Sequence, residues 1–184
     1  MLMRENCALM VVDMQEKLAD VMINLENTTK NIRLLIEAAN EFAIPMIYTE
    51  QYPKGLGDTI EPLKSLLADY KAKRFDKMTF SALNIPEIKN EIESLNKKTI
   101  VLSGIESHIC VLSTAIDLKE SGYNVVVAND AVTSRKKEFY DSAVAFYNGY
   151  GISCIPAETL VFYWIGTAGT ASFKKLQKII LGKA

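Results

Sequence analysis

The residues best suited to covalent chemistry are a carboxylate, a lysine and a cysteine that lie far apart in the sequence, at Asp13, Lys77 and Cys110. Asp13 directly follows an apolar run, and low-dielectric surroundings raise the pKa of a carboxylate toward the range of a general base. The alternative for Asp13 is an ordinary helix cap or turn residue. Lys77 lies in a segment without regular periodicity, and this pattern by itself indicates a solvated loop lysine.

Cys110 lies in the first turn of a helix predicted over residues 107–121. Free N–H groups and the positive end of the helix dipole favour a thiolate there, and the same N–H groups can bind an oxyanion. Helical periodicity places Cys110 away from the apolar stripe, which consists of Val111, Leu112, Ala115, Ile116 and Leu118. The pattern therefore favours a reactive thiol over a residue that only packs in the core.

The other two cysteines and the single histidine do not extend this site. Cys7 and Cys154 lie within apolar runs, where a cysteine usually packs as a small hydrophobic residue. His108 is two positions before Cys110, and side chains at that spacing do not face each other on a helix. A Cys–His dyad, a Ser-His-Asp triad and a multi-histidine metal site are therefore disfavoured. CxxC, GxGxxG and GxxxxGK[ST] motifs are absent, so we expect neither a metal nor a cofactor.

Length and composition indicate one globular domain over residues 1–184. Hydrophobic residues make up 49% of the chain and charged residues 23%, which is typical of folded protein. With 21 basic and 22 acidic side chains, the chain has no charge excess for binding nucleic acid or a membrane surface. The apolar run from Cys7 to Val12 is too short for a signal peptide, and no run approaches the ~20 residues of a membrane span. We expect a reducing, cytoplasmic location.

Short apolar runs alternate with segments of helical periodicity along the chain. Strands are predicted at Cys7–Val12, 45–49, 99–103, 123–128 and 152–155. Helices are predicted at 29–43, 60–68, 86–95, 107–121, 136–149, 157–165 and 170–181. Loops are predicted at 50–59 and 74–82. The alternation predicts a three-layer α/β/α sandwich with a mostly parallel, Rossmann-like sheet, in which ligands bind beyond the carboxyl ends of the strands.

Three segments resemble a known family, in the same order and over nearly the full length of the chain. They are ALMVVDMQ, which contains Asp13, FDKMTFSAL, which contains Lys77, and LSGIESHICVLSTAIDLKESGYNVVVANDAVTSR, which contains Cys110. Together they resemble the isochorismatase-like cysteine hydrolase superfamily, and the last segment is the most specific. TEQYPKGLG and GIESHIC look most like the isochorismatase-domain-containing proteins, whose substrates are poorly defined.

The resemblance implies a mechanism in which Cys110 is the nucleophile, Asp13 the general base and Lys77 the charge partner. The ammonium group and the helix terminus would lower the pKa of the thiol, and Asp13 would take its proton. Attack on a small amide or related ester would give a thioester on Cys110, which water then hydrolyses. The resemblance also implies a cis peptide bond between Ile105 and Glu106, and an oxyanion hole formed by the backbone N–H groups of Glu106 and Cys110.

Further residues are expected to line the pocket of a small-molecule substrate. They are Gln15, Glu50, Gln51, Tyr52 and Phe80. The family's nicotinamidases carry a metal-binding aspartate and two histidines after the second strand, and this chain has no histidine there. True isochorismatases carry glycine at the nucleophile position, where this chain has Cys110. We therefore expect neither a zinc site nor isochorismate as the substrate.

Two alternatives to a hydrolase remain open. The chain could keep the fold as an interaction or scaffold protein with little activity, and the strand–helix alternation alone also fits a nucleotide-binding, flavodoxin-like protein. Phe162, Tyr163, Trp164 and Phe173 lie near the chain end, and such aromatic residues cover either a subunit interface or the protein's own core. Together with the resemblance, they predict a homo-oligomer, either a dimer or a tetramer.

Overall fold

The computed structural model describes residues 2–183, which fold into alternating strands and helices. The strands are β1 (Cys7–Val12), β2 (Met46–Gln51), β3 (Lys73–Lys77), β4 (Thr99–Ile105), β5 (Asn124–Thr133) and β6 (Ser153–Ile155). The helices are α1 (Glu16–Ala19), α2 (Leu25–Glu41), α3 (Pro53–Leu56), α4 (Leu63–Asp69), α5 (Pro86–Ser94), α6 (Cys110–Glu120), α7 (Lys137–Gly149), α8 (Ala157–Ile165) and α9 (Ala171–Ile180). None of the helices in the described residues has the length and apolar character that crossing a membrane requires.

These strands form one sheet in the order β3-β2-β1-β4-β5-β6, and every neighbouring pair is parallel. Helices α2, α4, α8 and α9 pack on one face of the sheet, and α5, α6 and α7 pack on the other. The predicted three-layer α/β/α sandwich is therefore confirmed. The order in which the chain adds strands reverses between β1 and β4, and such a reversal opens a crevice beyond the carboxyl ends of the two strands.

The alternation of side chains along β1 divides the core into two layers. Leu9 and Val11 face α2 and the C-terminal helices, whereas Met10 and Val12 face the layer of α5, α6 and α7. All four side chains are buried, at 1% exposure or less. Because both faces of the strand are covered, its sequence is apolar throughout, and a short apolar run was enough to identify it.

The prediction of a loop over residues 74–82 is wrong in its first part, because Lys73–Lys77 forms the edge strand β3. Its register sets Lys77 beside Gln51 of β2. Four of its five residues carry a charge, and charged side chains on an edge strand reach solvent and discourage pairing with another chain. The apolar alternation that identifies a strand is therefore missing from this one.

Two predicted boundaries also differ at the carboxyl end of the sheet. Helix α6 begins at Cys110 rather than at residue 107, so residues 107–109 belong to the turn that precedes it. Strand β5 continues to Thr133, so Asn129 and Asp130 lie within the strand rather than after it.

Strands β1 and β4 approach each other closely at their carboxyl ends because Gly104 has no side chain. Gly104 has a φ of 116°, and a Cβ atom at this position would lie 2.0 Å from the carbonyl oxygen of Val12. Asp13, which follows Val12, has a left-handed φ of 51°, a conformation that aspartate adopts more readily than most residues. The Asp13 turn and the turn before α6 thus begin side by side, at the paired residues Val12 and Gly104.

Candidate active site

Asp13 and Lys77 form a buried ion pair at the carboxyl ends of β1 and β3. Lys77 Nζ lies 2.7 Å from Asp13 Oδ2, and the two residues are 2% and 0% exposed. The other carboxylate oxygen of Asp13 accepts a hydrogen bond of 2.7 Å from the Thr49 hydroxyl. A buried ion pair is tolerated when its remaining donors and acceptors are also satisfied, and here both oxygens of the carboxylate have a partner.

Neutral acceptors surround the rest of the Lys77 ammonium group. Gln51 Oε1 accepts a hydrogen bond from Nζ at 2.6 Å, and the backbone carbonyls of Thr79 and Phe80 accept at 3.2 and 3.3 Å. The Gln51 amide nitrogen donates to the Met78 carbonyl at 3.0 Å. Gln51, which was predicted to line the pocket, therefore uses its side chain to orient Lys77.

The thiol of Cys110 meets this ion pair from the start of α6. Cys110 is 6% exposed, and its side chain interacts with both Asp13 and Lys77. Burial, followed by the negative charge of Asp13, raises the pKa of Cys110 to about 12, and Lys77 only partly opposes this shift. The expectation of a lowered thiol pKa is therefore wrong. At this pKa the thiol carries its proton at neutral pH, and Asp13 is the carboxylate that interacts with it.

The face of α6 that carries Cys110 is covered by the segment that follows β3. Thr114 lies one turn further along this face and is fully buried. Its hydroxyl accepts a hydrogen bond of 3.1 Å from the Ala82 N–H. The helical pattern placed Cys110 away from the apolar stripe, and this expectation is wrong, because Cys110 packs in the same hydrophobic cluster as Val111, Ala115 and Leu118. The pattern also did not reveal that a loop distant in sequence covers this face of α6.

The turn between β4 and α6 presents two backbone N–H groups beside Cys110. The peptide bond between Ile105 and Glu106 is cis, which is the geometry that the resemblance implies. The Glu106 carbonyl accepts hydrogen bonds of 3.1 Å from the N–H groups of Ile109 and Val111, which fixes the start of α6 relative to the turn. The N–H groups of Glu106 and Cys110 have no acceptor in the part of the chain that the structure describes, so both are available to a ligand oxygen.

Gln15 and Glu50, also predicted as pocket residues, hold the segment after β2 in place. Gln15 Nε2 donates to the Gln51 carbonyl at 2.9 Å, and Gln15 Oε1 accepts from the Gln51 N–H at 2.6 Å. Glu50 Oε1 accepts from the N–H and the hydroxyl of Thr59 at 2.8 and 2.7 Å. An Arg74 nitrogen lies 2.7 Å from the other Glu50 oxygen. Both buried side chains therefore brace this loop rather than face an open pocket.

Tyr52 and Phe80, the remaining predicted pocket residues, are exposed at the rim of the site near Lys77. They are 48% and 62% exposed, and Met78 is 68% exposed. A cavity of about 430 Å³ is lined in part by Tyr52, Met78, Ile85 and Lys77, and its volume suits a small molecule. A larger cavity of about 650 Å³ lies at the amino ends of β2 and β3, away from the ion pair. Within residues 2–183, no three His, Cys, Asp or Glu side chains converge in a way that could hold a metal ion.

Thr49 and the residues after β5 are parts of the site that the sequence did not reveal. Parallel pairing of β1 with β2 brings the Thr49 hydroxyl to Asp13. Ser134 and Arg135 reach the turn before α6 through hydrogen bonds to His108 and Glu106. The available signal was the polar run TSR after an apolar strand, which by itself is also typical of a solvated loop.

Comparison with known proteins identifies the family of this chain. A family model for the isochorismatase domain matches residues 7–159. The chain is similar to isochorismatase domain-containing protein 2 of Xenopus laevis, with 36% identity over 177 residues that cover 96% of this chain and 84% of that protein.

Two solved structures have a similar fold. The MAR1 ribonuclease from Caenorhabditis elegans has a TM-score of 0.90 and 38% identity, and the match covers 97% of this chain and 91% of that one. The YcaC gene product from Escherichia coli, described as an octameric hydrolase of unknown specificity, has a TM-score of 0.88 at 20% identity, over 96% of this chain and 89% of that one. The family model and the Xenopus relative both span most of the chain, and the chain therefore belongs to the isochorismatase family.

Proposed function

We propose that the protein is a cysteine hydrolase that cleaves a small amide or a related ester through a thioester on Cys110. The observation that carries this proposal is the buried ion pair of Lys77 and Asp13, whose charges act on the buried Cys110 thiol. A hydrolase without a usable histidine needs another base and another charge partner, and a carboxylate paired with an ammonium group supplies both. Membership of the isochorismatase family, which includes hydrolases, supports the same reaction class.

In the first half of the reaction, Asp13 accepts the thiol proton while the sulfur of Cys110 attacks the carbonyl carbon of the substrate. Negative charge develops on the carbonyl oxygen, and the N–H groups of Glu106 and Cys110 stabilise it. Asp13 then gives its proton to the leaving amine or alcohol, the C–N or C–O bond breaks, and the thioester remains. Lys77 balances the charge of Asp13 whenever the carboxylate is ionised.

In the second half, water releases the acid. Asp13 accepts a proton from a water molecule while the water oxygen attacks the thioester carbon. The same two N–H groups stabilise the second oxyanion. The C–S bond then breaks, and the sulfur takes the proton back from Asp13. One proton thus moves to Asp13 and away again in each half, and the free thiol is restored.

Replacing Cys110 with alanine tests this proposal. Cys110→Ala should abolish the release of ammonia or alcohol from every amide or ester that the wild-type protein hydrolyses. Iodoacetamide should also label Cys110 ahead of Cys7 and Cys154. Burial raises the pKa of all three thiols, so ionisation alone does not favour Cys110. The expected order depends on Asp13, which interacts with the Cys110 thiol and can accept its proton during the reaction. Equal labelling of the three cysteines in the folded protein, or turnover that survives the substitution, would contradict the proposal and favour an interaction protein.

RNA is the second substrate to test, because the relative from Caenorhabditis elegans is described as a ribonuclease. The burial of the reacting groups favours a small molecule, since Asp13, Lys77 and Cys110 are each 6% exposed or less. Incubation with RNA should therefore give no cleavage that depends on Cys110. RNA cleavage by the wild-type protein that is lost in Cys110→Ala would overturn the small-molecule proposal.

We also propose that the protein forms a homo-oligomer, a dimer or a tetramer, in the cytoplasm. Phe162 and Tyr163 on α8 are 40% and 54% exposed, and the Phe162 ring lies 6.3 Å from that of Phe173. Trp164 is 2% exposed and belongs to the protein's own core, so only part of the aromatic cluster is available to a second copy. The three free cysteines fit a reducing compartment. Light scattering should give at least twice the 20.5 kDa mass of one chain, and a monomer would contradict the proposal.

A further inference from the structure

A further cavity, of about 340 Å³, lies at the carboxyl end of β5. Strand β6 pairs only with residues 126–128 of β5, so among the described residues the end of β5 has no neighbouring strand on that side. This part of β5 lines the cavity together with the start of α2 and the start of α7. None of the lining residues is Asp13, Lys77 or Cys110, and none also lines the cavity next to Tyr52. The space is therefore separate from the proposed active site, and its volume suits a small molecule.

Most of the surface of this cavity is apolar. Ile23, Val132 and Tyr140 are among the residues that provide it. A water molecule needs two to four polar partners to be held firmly, and apolar walls do not supply them. Replacement of such water by an apolar group is favourable. The cavity is therefore better suited to the apolar body of a ligand than to water.

One hydroxyl in the wall of the cavity has no partner in the protein. Thr28 on α2 is 1% exposed and lines the cavity, and its hydroxyl makes no hydrogen bond within residues 2–183. Buried hydroxyls are usually paired, because burial without a hydrogen bond costs free energy. A hydroxyl both donates and accepts, so a ligand hydroxyl can pair with Thr28 in either role.

Asn129 adds an unpaired acceptor to the residues that line the cavity. Its side-chain amide interacts with the Tyr140 hydroxyl, and that hydroxyl donates to the Asn129 carbonyl at 2.7 Å. These contacts hold the residue in place, but its Oδ1 atom is buried without a hydrogen-bond partner in the described part of the chain. An O–H group of a ligand would supply the missing donor.

The charged side chains at this cavity already have partners. Lys137 Nζ lies 2.6 Å from Asp141 Oδ2. The Ala157 N–H, at the start of α8, donates to Asp130 Oδ1 at 2.7 Å, and a carboxylate at a helix N-terminus is stabilised by the positive end of the helix dipole. No charged residue that lines the cavity is therefore without a partner in the described chain, which favours a neutral ligand.

We propose that this cavity is a second ligand site, which binds a small neutral alcohol with an apolar body. The apolar body lies against the walls near Val132, and the hydroxyl pairs with Thr28 and satisfies the Asn129 amide oxygen. The inference goes beyond the proposed hydrolase and does not depend on it, because no residue of the proposed reaction lines the cavity.

Benzyl alcohol, benzylamine and benzoate test this inference, because they have similar shapes and are neutral, cationic and anionic at neutral pH. Titration of the isotopically labelled wild-type protein, followed through its backbone amide resonances, gives each dissociation constant. Benzyl alcohol should bind most tightly and should shift the resonances of residues 23–28 and 137–141. Thr28→Val keeps the shape of the side chain without its hydroxyl, so it should weaken binding about fivefold, the scale of one neutral hydrogen bond. Thr29→Val is the matched control, because the Thr29 hydroxyl also lacks a partner but does not line the cavity, and binding should not change.

The inference would be overturned if benzyl alcohol left the resonances of residues 23–28 and 137–141 unshifted, or if benzylamine or benzoate bound more tightly. An unchanged affinity in Thr28→Val, or an equal loss in Thr29→Val, would also overturn it. Thr28→Val removes a hydroxyl that has no protein partner, so it should unfold at the same urea concentration as the wild-type protein. If it does not fold, Asn129→Leu takes its place, and an affinity unchanged by that substitution would refute the inference. Benzyl alcohol contains no amide or ester, so this outcome is independent of whether the hydrolase proposal fails.

Discussion

Asp13 and Lys77 allow a double-mutant cycle in which the two substitutions together should destabilise the protein much less than the sum of their separate effects. At the observed 2.7 Å between Nζ and Oδ2, and an effective dielectric constant of about 20, the attraction is about 6 kcal/mol. Desolvation of the two charges offsets part of that energy. Either single substitution leaves the other charge buried without its counter-charge. We therefore expect Asp13→Asn and Lys77→Met each to lower the free energy of unfolding by about 3–5 kcal/mol.

The double variant carries neither buried charge, so its destabilisation should fall well below the sum of the two single effects. We expect a coupling energy of about 3 kcal/mol, near the upper end of values for residues in direct contact. The double variant should still be less stable than the wild-type protein, because Gln51 loses the donor that its Oε1 accepts from. None of the three variants should retain hydrolysis. Activity should therefore be lost in all three variants alike, whereas the free energy of unfolding should differ between them.

Urea unfolding gives the free energy of unfolding of the wild-type protein, the two single variants and the double variant. The comparison is valid if the slope of this free energy against urea concentration is the same for all four proteins. The ion pair of Lys64 and Asp58 is a matched control, because its N–O distance is 2.6 Å and its side chains are about half exposed. Lys64→Met should leave the unfolding midpoint unchanged, since exposed pairs contribute little. Additive effects of Asp13→Asn and Lys77→Met would refute the reasoning, and so would an equally large effect of Lys64→Met.

Two further predictions follow from the site and the strands that support it. Gly104→Ala should lower the free energy of unfolding by about 3 kcal/mol or more, because the added Cβ would lie 2.0 Å from the Val12 carbonyl oxygen. Gly122→Ala has a similar positive φ but nothing within 4 Å, so urea unfolding should show a loss of only about 1 kcal/mol. The difference in ultraviolet absorbance between the wild-type protein and Cys110→Ala should show no thiolate between neutral pH and about pH 10. Burial and Asp13 raise the pKa of this thiol to about 12, and an ionisation near pH 8 would contradict this prediction.

The sequence was sufficient for the strands that lie inside the sheet. Cys7–Val12 is apolar because helices cover both of its faces, so its composition reports its burial directly. Lys73–Lys77 escaped detection because one side of an edge strand faces solvent and its composition is that of a loop. β6 lies at the other edge of the sheet and was nevertheless predicted, because Cys154 and Ile155 are apolar. An edge position therefore permits a charged strand such as β3 but does not require one.

Among the predicted pocket residues, the sequence identified a neighbourhood but not the direction of the side chains. Thr49, Glu50 and Gln51 follow one another in β2, and alternation sends Thr49 to Asp13 and Gln51 to Lys77 while Glu50 turns to Thr59. Prediction of the strand end alone did not distinguish these roles. Only the register between β1, β2 and β3 decides which side chains of β2 reach Asp13 and Lys77.

The sequence by itself determined the family resemblance, the alternation of strands and helices, and the three residues to which the proposed hydrolysis is assigned. The tertiary structure alone decided that Asp13 and Lys77, 64 positions apart, meet at 2.7 Å, and that the Cys110 thiol stays protonated beside them. It also decided that Arg135, in the segment after β5, pairs with Glu106 at the turn before α6. The physical reason is that residue types and local periodicity are properties of short segments. Burial, charge proximity and hydrogen-bond partners arise only when distant segments pack together.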